Sequence, residues 1–319
     1  MKKFLFFCLG IVAPAVTILW ALWVLPLLLA PEEDPNLGRL FHHNHTGLIC
    51  GTSRTEQGID PESLSSQCPD LKGIYNYSFN LGDSPWSSQY ASAITNKLAQ
   101  STTSSSGILV LSIDPWNLHN SKPKPSPFLG LLNNSEWIQT HLYATSTSPL
   151  QNITGNSQKE ISKAIFTALR SKRPTKTLLQ PNGWLPNTRF RDSTFTEIET
   201  KKKIESYQSL YPRSDTWPEQ EALTAIKTTI QKFKEQKPSG SIILLRPPVR
   251  HEMLNLENTV YPELNEIVES LALENNAIFL DGNLISEGLV FNDAHHLYHE
   301  SAKTFSKRLG AWICESIHD

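Results

Sequence analysis

From residue 47 onward the chain alternates short apolar runs with stretches whose apolar residues recur at helical spacing. Five runs read as buried strands: Gly47–Cys50, residues 73–81 (GIYNYSFNL), Gly107–Ile113, Ser241–Leu245 and Ala277–Leu280. Between them, Ser84-Pro85 is expected to open a helix carrying Trp86, Tyr90, Ile94 and Leu98 on one face. Thr216-Trp217-Pro218-Glu219 has the pattern of a capping box, and leads into a helix with Leu223, Ile226, Ile230 and Phe233 inward. A further helix spans about 262–274, and the last, about 298–314, buries Ala302, Phe305, Leu309 and Trp312. Strands alternating with amphipathic helices predict an α/β domain, a three-layer doubly wound parallel sheet of about five strands. Ligands of such sheets sit beyond the carboxyl ends of the strands. Ser53, Gly82, Asp114 and Arg246 fall just past predicted strand ends, and Asp293–His296 lies between the last strand and last helix.

Two stretches break the alternation. Residues 118–157 are rich in Ser, Pro and Asn, and residues 174–215 are polar around Asn182-Gly183-Trp184-Leu185-Pro186. Loops this long are uncommon unless functional or disordered, so both read as insertions facing a substrate or as flexible segments. Ahead of the domain, residues 4–30 carry no charge, enough to cross ~30 Å of hydrocarbon at ~1.5 Å per helical residue. Lys2 and Lys3 precede the run, and Glu32, Glu33 and Asp34 follow it. The positive-inside bias then places the N-terminus in the cytoplasm and the rest outside. Residues 1–31 are therefore expected to be a retained single-pass anchor and residues 32–319 an extracytoplasmic domain. A cleaved signal peptide is the competing reading, but the run exceeds an h-region of ~7–15 residues.

Setting Lys2 and Lys3 aside takes the basic count from 29 to 27, against 31 acidic residues, so the remainder is near −4. A nucleic-acid partner would need a basic face, and none is visible. Four cysteines are too few for a disulfide-built scaffold. Cys50, Cys68 and Cys314 would meet an oxidising compartment, with a Cys50–Cys68 bridge one pairing among several.

The candidate chemistry lies in two remote segments, Gly51-Thr52-Ser53-Arg54 and Asp293-Ala294-His295-His296-Leu297. A serine leaving a strand in a tight turn presents its hydroxyl, but needs an adjacent base to become a nucleophile. A carboxylate three residues before an imidazole can reach back to its Nδ1–H and leave Nε2 facing a serine. His295 and His299 compete with His296 for that role. The same histidines also suggest a metal site, although no remote ligands stand at diagnostic spacing.

A Gly-x-Ser on the first strand, Asn80-x-Gly82 on the second and a late Asp-x-x-His-Leu together resemble the SGNH (GDSL-type) hydrolase superfamily. More narrowly, GTSRTEQGIDPESL, LSIDPW, LLRPPV and FNDAHHL resemble its membrane-anchored bacterial branch, which includes the D-alanyl-lipoteichoate biosynthesis protein. The resemblance implies Ser53 as nucleophile, Asp293 and His296 completing the triad, and oxyanion donors from Ser53, Gly82 and Asn80. It implies serine esterase or acyltransferase activity on a cell-envelope glycan or lipid, with no cofactor, no metal and a membrane-bound acyltransferase as partner. The alternative is a non-catalytic module of the same fold that binds or assembles an acylation system. The pattern departs from the family at two places. Gly-Asp-Ser occurs literally at Gly82-Asp83-Ser84, making Ser84 a rival nucleophile, although Ser-Pro there fits a helix N-cap and first turn. Asp114 stands where the family places an oxyanion asparagine, leaving Asn117 as the nearest substitute. Arg54 and Arg246 are candidate anion or glycan contacts with ion pairing as the competing role. Trp116 and Trp184 are expected to stack on sugar or to pack beneath the loops.

Overall fold

The structure is a computed structural model that describes Pro14, Arg39, His42 and residues 44–82, 84–101, 106–119, 179–188 and 192–318. The chain divides into two compact units, and the first, Met1–Phe41 with Ser146–Thr177, contributes only Pro14 and Arg39 to that set. The expected anchor and nearly all of the 118–157 insertion thus lie outside the described residues. Among the described residues no helix is long and apolar enough to cross a membrane.

The second unit is built on a five-stranded, all-parallel sheet of β1 (Gly47–Cys50), β2 (Ile74–Asn76), β3 (Ile108–Ser112), β4 (Ser241–Arg246) and β5 (Ile278–Asp281). Their order is β2-β1-β3-β4-β5, with Leu48 opposite Leu109, Val110 opposite Ile243 and Leu245 opposite Leu280. The inner strands β1, β3 and β4 are buried on both faces, which is why they read as continuous apolar runs. Eight α-helices accompany them among the described residues: α1 (Ser53–Gly58), α2 (Pro61–Ser65), α3 (Ser88–Leu98), α4 (Ser193–Leu210), α5 (Gln220–Gln236), α6 (His251–Val260), α7 (Leu264–Glu274) and α8 (His299–His318).

Alternate strand residues feed two separate cores. Leu48, Cys50, Leu109, Leu111, Ile242 and Leu244 join a cluster with Tyr90 and Ile94 of α3, Ile226, Ile230 and Phe233 of α5, and Val268 of α7. Ile49, Val110, Ile243 and Leu245 join the other, with Leu64 of α2 and Phe305, Leu309 and Ile313 of α8. This partition settles the cysteine pairing. Cys50 belongs to the first cluster and Cys68 to the second, so a bridge between them would have to pass through the sheet. Cys68 is joined instead to Cys314 on α8, 246 residues away, and Cys50 stays a buried free thiol.

Several elements differ from their sequence expectation, each for a local reason. β2 stops at Asn76; only Tyr77 N–H to Ile49 O at 2.7 Å and Phe79 N–H to Gly51 O at 3.2 Å continue the pairing. Helix α3 is capped by Ser87, whose hydroxyl accepts from Tyr90 N–H, three residues later than Ser84. Trp86 N–H is bound to Asn117 O, which keeps the preceding turn out of the helix. The N-cap of α5 is Glu219 rather than Thr216, whose hydroxyl donates to the Glu219 carboxylate and not to a helix amide. Helix α6 has no counterpart in the sequence expectation. Residues 193–210 of the second insertion form α4 rather than loop.

Candidate active site

The strand order reverses between β1 and β3, and ligands of open α/β sheets sit beside such a switch point. The turn after β1 carries the first functional segment. Gly51 is confined there, since a Cβ on it would come within 2.6 Å of both Ser112 Cβ and Thr55 Oγ1. Thr52 then caps α1: its carbonyl accepts from Thr55 and Glu56 N–H, and its hydroxyl donates to Asp114 Oδ2 at 3.1 Å. Ser53 is thereby fixed as the first residue of α1, half-buried at the mouth of the turn. Its own amide and that of Arg54 lie in the first turn, where no intrahelical acceptor exists.

The second segment is a closed loop. Phe291 and Leu297 form an antiparallel bridge, Asn292 N–H donates to His296 O, and Arg250 N–H donates to Ala294 O. Within the loop, Asp293 Oδ1 accepts from the amides of His295 and His296, both at 2.9 Å. That turn aims its other oxygen, Oδ2, at His296 Nδ1, 2.8 Å away, and His296 Nε2 lies 2.9 Å from Ser53 Oγ. An ionised carboxylate only accepts, so Nδ1 carries the proton and Nε2 presents its lone pair to the serine hydroxyl. Burial pushes the Asp293 carboxyl upward, but the adjacent His296 and the hydrogen bond from its Nδ1–H outweigh it and hold it well below the usual carboxylate range.

Ser53, Asp293 and His296 are therefore brought together, and the competing residues are placed elsewhere. Ser84 is fully buried, its hydroxyl facing the carbonyls of Gly51, Phe79 and Asn80. His299 Nε2 lies on Glu300. His295 is 1 % exposed, edge-on to the Tyr207 and His296 rings, and neither of its nitrogens has a hydrogen-bond partner. Burial, followed by the neighbouring His296 charge, lowers its pKa well below that of a free imidazole.

The expected oxyanion donors fare differently. Gly82 N–H donates to Asn80 Oδ1 at 2.9 Å, which spends the Gly82 amide. Asn117 is fully buried; its NH2 donates to Ser112 O and its Oδ1 accepts from Asp114 N–H. Asn117 is thus a strut of the β3 turn rather than a substitute donor. Asp114 is buried too, accepting from Thr52 and from the amides of Trp116 and Asn117. Burial raises its pKa, with Arg54 pulling the other way.

Arg54, Arg246, Trp116 and Trp184, for which substrate contact competed with ion pairing or packing, are all interior. Arg54 donates to Glu257 Oε1 at 2.8 Å, and Arg246 donates to Glu257 Oε2 at 3.2 Å and to Asn258 and Asn265. Trp116 gives its indole N–H to Glu257 Oε1 at 2.8 Å and packs against Tyr207, Tyr211 and Tyr261. Trp184 is 5 % exposed, its indole N–H on Gln57 O, at the edge of a cavity of about 640 Å³ lined also by Asp60, Asn182, His299 and Lys303. Its neighbour Gly183 adopts φ +83°, and a Cβ there would strike Asn76 O at 2.2 Å. Sequence reasoning missed Glu257 altogether. A single carboxylate within a polar helix gives no signal until the fold places two arginines and an indole upon it.

Among the described residues, two groups could offer a metal three ligands. Asp293, His295 and His296 bring one donor atom each within 4.8 Å of one another, as do Cys68, Asp70 and Cys314, although the two cysteines are consumed by the disulfide. No family model, curated protein or solved structure matches the chain.

Proposed function

We propose that this chain is a serine-dependent acyl-ester hydrolase or O-acyltransferase of the SGNH type, acting on a cell-envelope glycan or lipid. The observation that carries the reading is the continuous row from Ser53 Oγ through His296 to Asp293, with links of 2.9 and 2.8 Å between segments 243 residues apart. Strand order 2-1-3-4-5 with the serine at the switch point supports the same assignment. The envelope substrate rests on the sequence resemblance and on the expected anchor.

In this reading His296 Nε2 takes the Ser53 proton as Oγ attacks the ester carbonyl, and Asp293 holds the imidazolium that forms. The amides of Ser53 and Arg54, in the first turn of α1 with no intrahelical acceptor, would supply the oxyanion donors. Collapse expels the alcohol, which receives the proton from His296, and leaves the acyl group on Ser53. Water or a sugar hydroxyl then attacks, giving its proton to His296, and Ser53 is regenerated.

A second reading, a binding or assembly module of an acylation system, draws on the engagement of Gly82 with Asn80 and on the consumption of Asn117. Treating the full-length protein with a fluorophosphonate probe separates the two. Catalysis requires labelling of wild type that is lost in Ser53→Ala and kept in Ser84→Ala. Unlabelled wild type, under conditions where a known serine esterase reacts, would leave the module reading standing.

A further inference from the structure

We infer that Asp293, His295 and His296 form a binding site for a borderline divalent cation, zinc foremost, and that its occupancy silences Ser53. The silencing rests on the serine chemistry proposed above; the binding does not.

Three observations carry the site. The donor atoms of the three residues lie within 4.8 Å of one another, on a loop fixed by the Phe291–Leu297 bridge and two amide bonds to Asp293 Oδ1. His295 is 1 % exposed, yet neither ring nitrogen has a partner, and buried polar side chains are otherwise nearly always satisfied. Its position edge-on to His296, with ring centroids 4.2 Å apart, makes it the inner wall of the same cluster. Asp293 and His296 retain side-chain exposures of 11 % and 12 %, so an ion has a path from solvent at the Ser53 end.

Two imidazoles and one carboxylate are nitrogen and oxygen donors of the kind zinc takes, and they leave a fourth position for water. Tetrahedral bonds of about 2.0–2.1 Å place donors roughly 3.4 Å apart, so closure draws in donors that now lie within 4.8 Å of one another by up to about 1.4 Å. A hard ion such as Mg²⁺, which keeps its waters and prefers oxygen, has little to gain here.

Coordination through either nitrogen of His296 removes the base. If zinc replaces the proton on Nδ1, that proton returns to the ring at Nε2, and no lone pair faces Ser53. If zinc takes Nε2, the lone pair itself is occupied. In both cases the Ser53 hydroxyl keeps its proton.

The test uses the full-length protein without reductant, so that Cys68 and Cys314 stay joined. Zn²⁺ is titrated in competition with a chromophoric chelator. The expected result is one equivalent held at least 100-fold more tightly by wild type and Ser53→Ala than by His295→Phe. Equal affinity in wild type and His295→Phe would overturn the site. Should His295→Phe fail to fold, Co²⁺ added to wild type decides the matter. Strong visible absorption of a four-coordinate ion supports the site, and only the weak absorption of hydrated Co²⁺ overturns it. Zinc loading should slow fluorophosphonate labelling of wild type at least 10-fold, with recovery on chelation. An unchanged rate in loaded protein overturns the silencing. Absence of labelling in metal-free wild type removes the serine reading while the binding result stands by itself.

Discussion

Glu257 lies at the junction of α6, β4 and the turn after β1, and replacing it by glutamine should destabilise the protein by about 3 kcal/mol. The side chain is 1 % exposed, with Arg54 and the Trp116 indole on Oε1 and Arg246 on Oε2. Removing one partner from a buried ion pair typically costs about 3–5 kcal/mol, because an unpaired charge stays behind. Here Asp281, 3.9 Å from Arg246, and Asp114, whose charge acts on Arg54, remain as counter-charges, which places the effect at the lower end. For a domain of this size about 3 kcal/mol corresponds to roughly 6–12 °C in Tm. Urea unfolding followed by tryptophan fluorescence reads the loss. Adding Arg54→Met to the variant should recover part of it, since the arginine then no longer needs an anion. A loss below 1 kcal/mol, or no recovery in the double variant, would refute the view that the two arginines depend on this carboxylate.

Other consequences follow from the same structure. Asp293→Asn should slow fluorophosphonate labelling by roughly 10³–10⁴-fold, because an amide no longer fixes the proton on Nδ1; a loss under tenfold would detach Asp293 from the chemistry. His45 is buried, and its folded pKa is lowered to about 4 by burial, then by Lys97. The unfolded chain therefore takes up a proton near pH 6.5 that the folded chain refuses, so stability is full above that pH and falls as pH drops from 6.5 to 4. Urea midpoints measured across that window should decline less steeply in His45→Asn, by up to one proton. Reducing Cys68–Cys314, or replacing both by serine, should cost about 2–5 kcal/mol for so long a loop, and an unchanged urea midpoint would argue against the bridge.

The β1, β3 and β4 strands were legible because each is an apolar run buried on both faces, and they and the half-buried β5 lie within a residue of their expected ends. Helices α5, α7 and α8 were legible for a related reason, since each buries a regular apolar stripe. Helix α6 was not, because the residues it buries are Met253 and Glu257, and a buried acid breaks the pattern by which helices are recognised. Helix α4 buries two threonines, Thr196 and Thr200, while Phe195 and Ile198 face outward, so its periodicity points nowhere. At the site, the spacing of Asp293 and His296 carried real information, because an Asx-type turn makes the contact local. The contact with Ser53 is long-range and came from a family resemblance, not from spacing. For Arg54, Arg246 and Trp116 the sequence left ion pairing or packing open beside substrate contact, and only the unforeseen Glu257 explains why all three point inward.

Ser53 and His296 meet across 243 positions, and Cys68 and Cys314 across 246. During synthesis at about 5–20 residues per second, roughly 12–50 s separate the emergence of the serine from that of its histidine. Throughout that interval the nascent polypeptide displays a hydroxyl with no base and a thiol with no mate. Both are completed by the same late stretch, the loop ahead of α8 and α8 itself. A chain released early therefore lacks the Ser53–His296 contact and the Cys68–Cys314 bridge at once, and the two are completed together.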